Sequence, residues 1–231
     1  LTAWQNQPII RVRKGRYLFT FFINISAGVG GKCSMEGKRL TSYAMEELEC
    51  PKCGHKHSLK KYKVINVTEK AKLKEEIMKN QLYQFSCEEC EYMAPLTYDS
   101  LYVDSRKNIM IYMAPVMNAE IKAEIAELEQ EKGIDKRLVD NINDLKEKIM
   151  IADNHLDDRV IEIIKIMYLD QIKKEMEDDT LLNILFDYNR DNYCFLVFFQ
   201  KKGIGKIPLT REFYRQVEDK YKEAIKEHST D

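Results

Sequence analysis

Residues 49–91 read ECPKCGHKHSLKKYKVINVTEKAKLKEEIMKNQLYQFSCEECE, and two C-x-x-C pairs bracket the stretch, Cys50 with Cys53 and Cys87 with Cys90. Two such pairs offer four soft thiolates, the donor set of a tetrahedral zinc site in which each sulfur lies about 2.3 Å from the ion. Pro51 and Gly54 favour a tight turn that aims backbone N–H groups at the sulfurs. The second pair carries Glu88 where the first has Pro51, and Glu91 where the first has Gly54, so a looser turn is expected there.

The 33 residues between Cys53 and Cys87 exceed the gap of about 15–20 that a compact ribbon uses. Their pattern accounts for the excess. Residues 59–67 alternate and are rich in β-formers, Thr68 can cap a helix, residues 69–80 place Leu73 and Ile77 four apart, and residues 82–87 return as a strand. A helix is therefore inserted between the two cysteine knuckles.

Disulfides and redox-active C-x-x-C pairs are the competing readings, and iron is the competing metal. Zinc is preferred because a convincing export signal is lacking, and because a thioredoxin-like pair sits between a strand and a helix. Four thiolates also suit iron, with zinc the commoner occupant. His55 and His57 could replace a ligand, but four cysteines already fill the shell, so both are expected to be exposed. Cys33 and Cys194 read as ordinary residues, the latter within an apolar strand pattern. A zinc closed by four cysteines has no open position for water, which makes it structural rather than catalytic.

Beyond the knuckles, residues 101–103 and 109–113 flank a hairpin turn at residues 104–108, and Pro115 closes the β-rich region. Asn118 opens a helical stretch with Ile121, Ile125 and Leu128 on one face and Gly133 at its end. Leu138, Ile142, Leu145 and Ile149 form a second stripe; residues 157–177, with Val160, Ile164, Met167 and Ile172, form a third, together a helical hairpin or small bundle. LLNILFDY and YCFLVFFQ then flank a four-residue hairpin loop, residues 201–208 read as a loop, and Thr210 caps a last helix with Phe213, Val217, Tyr221 and Ile225 inward. Phe195, Phe198 and Phe199 cannot share one strand face, which implies burial on both faces or an apolar edge.

The expected class is α+β: a zinc-ribbon-like β domain with an inserted helix over residues 45–116, helices over 117–180, and a β-hairpin plus helix over 181–231. Residues 1–44 are set apart as a leader, read as either not native or disordered. The first 34 residues carry Arg11, Arg13, Lys14, Arg16 and Lys32 and no acid, and the run YLFTFFINISAGVG from Tyr17 has the look of a signal-peptide core. Lys32 before Cys33 argues against a lipoprotein. The chain opens on Leu1 and its first methionine is Met35. Gly30, Gly31 and Lys32 can be encoded by a purine-rich GGAGGAAA, so translated upstream DNA is the favoured reading, ahead of a native extension and a signal peptide.

The 231 residues balance 37 basic against 38 acidic side chains, but without those five cations 32 face 38 over the rest. The remainder is acidic. No apolar run reaches the roughly 18 residues of a membrane span.

On ECPKCG, KVINVTEKAKLKEEIMKNQLYQFSCEEC, DSLYVDSRKNIMIYMAP and NDLKEKIMIADNHLDDRVIEIIK, the sequence resembles the CpXC protein family, a bacterial and archaeal group named for two C-P-x-C motifs. The likeness runs roughly over residues 48–175. It implies a zinc-ribbon-like domain followed by helices, with Cys50, Cys53, Cys87 and Cys90 as ligands, and carries no established activity.

The resulting expectation is a cytoplasmic, structural zinc protein acting through protein–protein contacts, without a membrane span. One alternative is nucleic-acid binding through Lys52, Lys56, Lys60, Lys61 and Lys63, which gather at the first knuckle but stand against the acidic balance. Another is an enzyme with His155 as base and Arg159 as anion clamp. Helix capping is the default for Asp157 and Asp158 beside them. The GIGK run at residues 203–206 lacks the rest of a phosphate loop and reads as a turn.

Overall fold

The computed structural model describes residues 39–175, 178–189 and 192–227. The basic and apolar leader runs, Cys33, and residues 190–191 of the expected four-residue loop lie outside them.

β1 (Ser42–Glu49) and β2 (Lys56–Asn66) form an antiparallel hairpin with the first cysteine pair at its tip. Strand β1 therefore begins inside the stretch set apart as a leader, and Thr41 and Arg39 reinforce it through hydrogen bonds to Asn66. Helix α1 (Lys72–Met78) follows, shorter than expected; Thr68 is not its cap and instead accepts from the Ser105 N–H, at 2.8 Å. A 3₁₀ turn, Gln81–Tyr83, leads into β3 (Gln84–Ser86), which pairs with β4 (Met93–Pro95) around the second cysteine pair.

β2 then pairs in parallel with β5 (Ser100–Asp104), β5 antiparallel with β6 (Ile109–Met113), and β6 in parallel with β7 (Asp135–Val139). The resulting five-stranded sheet has the order β1-β2-β5-β6-β7. Its central strands β5 and β6 are buried at every residue, which explains their continuous apolar pattern. Leu73 and Ile77 of α1 and Leu145 and Ile149 of α3 (Ile142–Asp153) cover one face; α2 (Ala119–Glu129) covers the other through Ile121 and Leu128. Asn118 caps α2 by accepting the Ile121 N–H at 2.8 Å, as its sequence position implied.

Three helices, α2, α3 and α4 (Asp158–Glu175), lie within residues 117–180, but α2 and α3 pack on opposite faces of the sheet, and Leu138 belongs to β7 and does not share a helical stripe with Ile142. The run at residues 203–209 is likewise a strand, β10 (Gly203–Leu209), where a loop was expected. It joins β9 (Asn192–Phe199) and β8 (Leu181–Asn189) in a three-stranded antiparallel sheet of order β10-β9-β8. Tyr193, Phe195 and Val197 of β9 face a second core with α4 and α5 (Arg211–Glu227), and Thr210 caps α5 through the Phe213 N–H. Phe198 lies on the other, half-buried face. The described residues thus form five helices and three sheets, an α+β protein.

Helix α3 joins the two cores: Leu145 and Ile149 face the first, Ile151 the second. Charged groups tighten that joint. Lys165 lies 2.7 Å from the Glu147 carboxylate, which also accepts the Phe186 N–H, and Arg137 donates twice to Asp158 at 2.6 Å. Glu147 is only 2% exposed, so it depends on its cation. Removing one partner of a buried pair costs about 3–5 kcal/mol. Lys165→Met is expected to lose stability of that order in urea unfolding, and Lys165→Met with Glu147→Gln to recover part of it.

Candidate metal centre

Each cysteine pair is held by the same backbone pattern. In the first, the Cys50 N–H donates to the His55 carbonyl at 2.8 Å and the Gly54 N–H donates back to the Cys50 carbonyl at 2.9 Å. In the second, Cys87 donates to Tyr92 at 2.8 Å and Glu91 to Cys87 at 3.0 Å, the same offsets along the chain. Gly54 has φ +75° and Glu91 φ +57°, so Glu91 takes the left-handed conformation that glycine adopts freely. The looser second turn expected from its missing glycine is not found.

The two hairpins meet at their tips. Sγ of Cys50 lies 3.6 Å from Sγ of Cys90, and Sγ of Cys53 lies 3.6 Å from Sγ of Cys87. All four sulfurs fall within 4.8 Å of one another. A disulfide would need about 2.05 Å, and all four are free thiols. A tetrahedral ion with sulfurs about 2.3 Å away would separate them by about 3.8 Å. The donor set and the spacing therefore fit a four-thiolate metal, and together the four could hold one ion. One cysteine of each pair is shielded, Cys50 and Cys87 at 1% exposure, against a small apolar cluster of Phe85, Leu59, Tyr92 and Leu96. Cys53 is exposed and Cys90 half-buried, so the cluster opens on one side only.

The base of the second hairpin is tied to the large sheet. The Tyr83 and Ser100 hydroxyls are 2.7 Å apart, the Tyr98 hydroxyl donates to the Leu82 carbonyl at 2.7 Å, and the two tyrosine rings stack at 4.8 Å. These contacts carry β3 and β4 to the level at which Cys87 and Cys90 meet the tip of β1 and β2.

Without a cation the thiols titrate apart. Burial opposes ionisation of Cys50, but the backbone N–H groups of Lys52 and Cys53 and the neighbouring thiols outweigh it and bring the group down to about 7. The His55 backbone N–H favours a Cys53 thiolate, yet desolvation and the Cys90, Cys87 and Cys50 sulfurs together push it up to about 12. One ionised sulfur forces its neighbour to keep a proton.

His55 is exposed as expected; His57 is not. It is half-buried, its Nε2 is 3.2 Å from Sγ of Cys87, and its ring stands edge-on to Phe85 at 5.2 Å. The alternation of β2 was the available signal, since His57 shares a strand face with Leu59 of the apolar cluster.

The five lysines do not form one patch. Lys61 pairs with Glu46 at 2.6 Å, Lys63 with Asp99 at 3.2 Å, Lys56 stands across the ladder from Glu49, and Lys60 lies over the Tyr43 ring at 4.9 Å. Lys52 reaches across to the Cys90 carbonyl at 3.4 Å. The His155 group does not converge either. Arg159 pairs with Asp157, which caps α4 through the Arg159 N–H; Asp158 pairs with Arg137 and Lys148; and His155 Nε2 faces Lys107 Nζ at 3.1 Å.

A family model described as CpXC protein matches residues 48–165, more than half of the chain. No curated protein and no solved structure gives a match.

The equivalence of the two turns has a measurable consequence. A side chain forced into the left-handed region costs about 1–2 kcal/mol, so Gly54→Ala is expected to lower stability by about that much. Glu91→Gly relieves the same strain at the other knuckle and is expected to leave stability unchanged or raise it, as read from thermal unfolding of both variants.

Proposed function

We propose, from the premise that this chain belongs to the CpXC protein family, that Cys50, Cys53, Cys87 and Cys90 hold a structural zinc ion and that the protein works in the cytoplasm through contacts with other proteins. The observation that carries the metal is the meeting of four sulfurs from two separate hairpins within 4.8 Å. Zinc suits the set because it has no geometric preference beyond the tetrahedron that four thiolates supply, and no redox chemistry to damage them. The ion would join hairpins that belong to different sheets, and four protein ligands would leave it no position for a reacting water. Four free thiols in proximity fit a reducing compartment. Among the described residues, no helix is long and apolar enough to cross a membrane.

Protein contact is favoured over nucleic acid by the charge arrangement around the first knuckle. Glu46, Glu47 and Glu49 of β1 stand beside the lysines of β2, and the same exposed hairpin carries Tyr43 and Met45, 48% and 54% exposed. A phosphate backbone needs an uncompensated basic track. An apolar and mixed-charge surface is what protein partners use.

The purified protein is expected to carry one equivalent of zinc, and Cys50→Ser with Cys87→Ser to carry none by elemental analysis. Thiolates must lose their protons to bind, so zinc should stay bound at about pH 8 and be released as the pH falls toward about 5. Binding to the metal-free protein in weak buffer should release protons, including the one held by Cys53. Full zinc retention in the double variant would overturn the assignment. Fluorescence anisotropy with single- and double-stranded DNA and RNA at about 50 mM salt is expected to show no binding.

A further inference from the structure

His57 lies 3.2 Å from the sulfur of Cys87 through Nε2, and among the described residues that sulfur is the one hydrogen-bond partner of its ring. The contact is built from three sides. Strand β2 aims His57 at the cluster in register with Leu48 of β1, Phe85 of β3 holds the imidazole edge-on at 5.2 Å, and the His55 ring meets it at 4.8 Å. Cys87 itself is 1% exposed, so water does not solvate its sulfur. A thiolate shielded from water gains from any protein N–H that can stand in for the lost solvent.

We infer that His57 is a positioning residue for the metal centre: its Nε2–H donates to the Cys87 thiolate, offsets its charge, and fixes the χ angles at which Cys87 presents its sulfur to the ion. The imidazole is not a ligand, because the four cysteines complete the tetrahedron and the nitrogen sits at hydrogen-bonding distance from a ligand atom. The other ligands have backbone donors: Cys50 the N–H groups of Lys52 and Cys53, Cys53 that of His55, and Cys90 that of Tyr92. The side-chain donor is placed at the buried sulfur of Cys87. This inference rests on the metal reading above.

The test uses cobalt(II) as a spectroscopic probe and zinc competition against a chromogenic chelator, with wild type, His57→Phe and His57→Gln. Phenylalanine keeps an aromatic ring against Phe85 and removes the donor; glutamine keeps an N–H donor and removes the ring. Loss of a group that hydrogen-bonds a metal ligand typically lowers affinity about 10- to 100-fold. His57→Phe is expected to bind zinc at least about tenfold more weakly, and to shift the thiolate-to-cobalt charge-transfer bands to lower energy, because a thiolate without its donor is easier to oxidise. His57→Gln should recover most of the affinity and the band position. A merely packing role predicts the reverse order, with phenylalanine near wild type and glutamine impaired, and that result would overturn the inference. If His57→Phe does not fold, a His57→Gln variant with wild-type bands sustains the inference and one with shifted bands defeats it. Wild-type protein without any thiolate-to-cobalt bands would remove the metal reading itself, a separate outcome.

Discussion

Four sulfur atoms within 4.8 Å of one another cannot all be ionised without positive charge among them. That constraint governs the N-terminal half of the molecule. The hairpins that supply the sulfurs share no β-ladder, since β1 and β2 extend the five-stranded sheet and β3 and β4 form a sheet of their own. They touch through the cysteines, His57, the Lys52 bond to the Cys90 carbonyl and a small apolar cluster around Phe85. A cluster of that size adds little hydrophobic stabilisation, so the joint depends on what neutralises the thiolates. A divalent ion does so directly; without one, protons must be kept at Cys53 and Cys90, and the S–H groups give only weak hydrogen bonds.

The site was more legible than the fold around it, for physical reasons. Thiolate chemistry leaves a spacing in the sequence that few other constraints imitate, so the four cysteines stood out. The inserted helix was visible because Leu73 and Ile77 serve one core face. Strand β7 was hidden. Leu138 lies four residues before Ile142, a helical interval, although Leu138 packs toward α2 and Ile142 toward the opposite face of the sheet. Its neighbour Arg137 is polar in sequence yet buried, because it donates to Asp158 from another element. Strand β10 was hidden by two glycines and a proline, which edge strands tolerate since one side of the ladder is free. The second knuckle looked irregular because a sequence records which residue occupies the left-handed position and not the conformation it is made to adopt.

The charge pattern shows the same limit from another side. Along the chain, Lys52, Lys56, Lys60, Lys61 and Lys63 form a run without an acid, and the acids that face Lys56 and Lys61 lie on the far side of the cysteine turn, in β1. Antiparallel pairing folds Glu46 and Glu49 back onto Lys61 and Lys56. Such exposed pairs contribute little stability. They nonetheless decide what the surface offers a partner, because a lysine already facing a carboxylate attracts phosphate weakly at physiological ionic strength.

The same geometry makes the cysteine cluster two-sided. Cys50 and Cys87 face inward with Phe85, whereas Cys53 and Cys90 face outward, and each side takes one cysteine from each knuckle. Withdrawing both outer sulfurs would still leave one ligand on each hairpin, so the tips would remain bridged while the ion became open to a competing ligand. A bound ion would thus be nearest to solvent on the side of Cys53 and Cys90. The inner pair holds the architecture. A side-chain donor has its largest effect on that inner pair, because in the shielded half of the site no water can take its place. His57 is placed on that side, against Cys87.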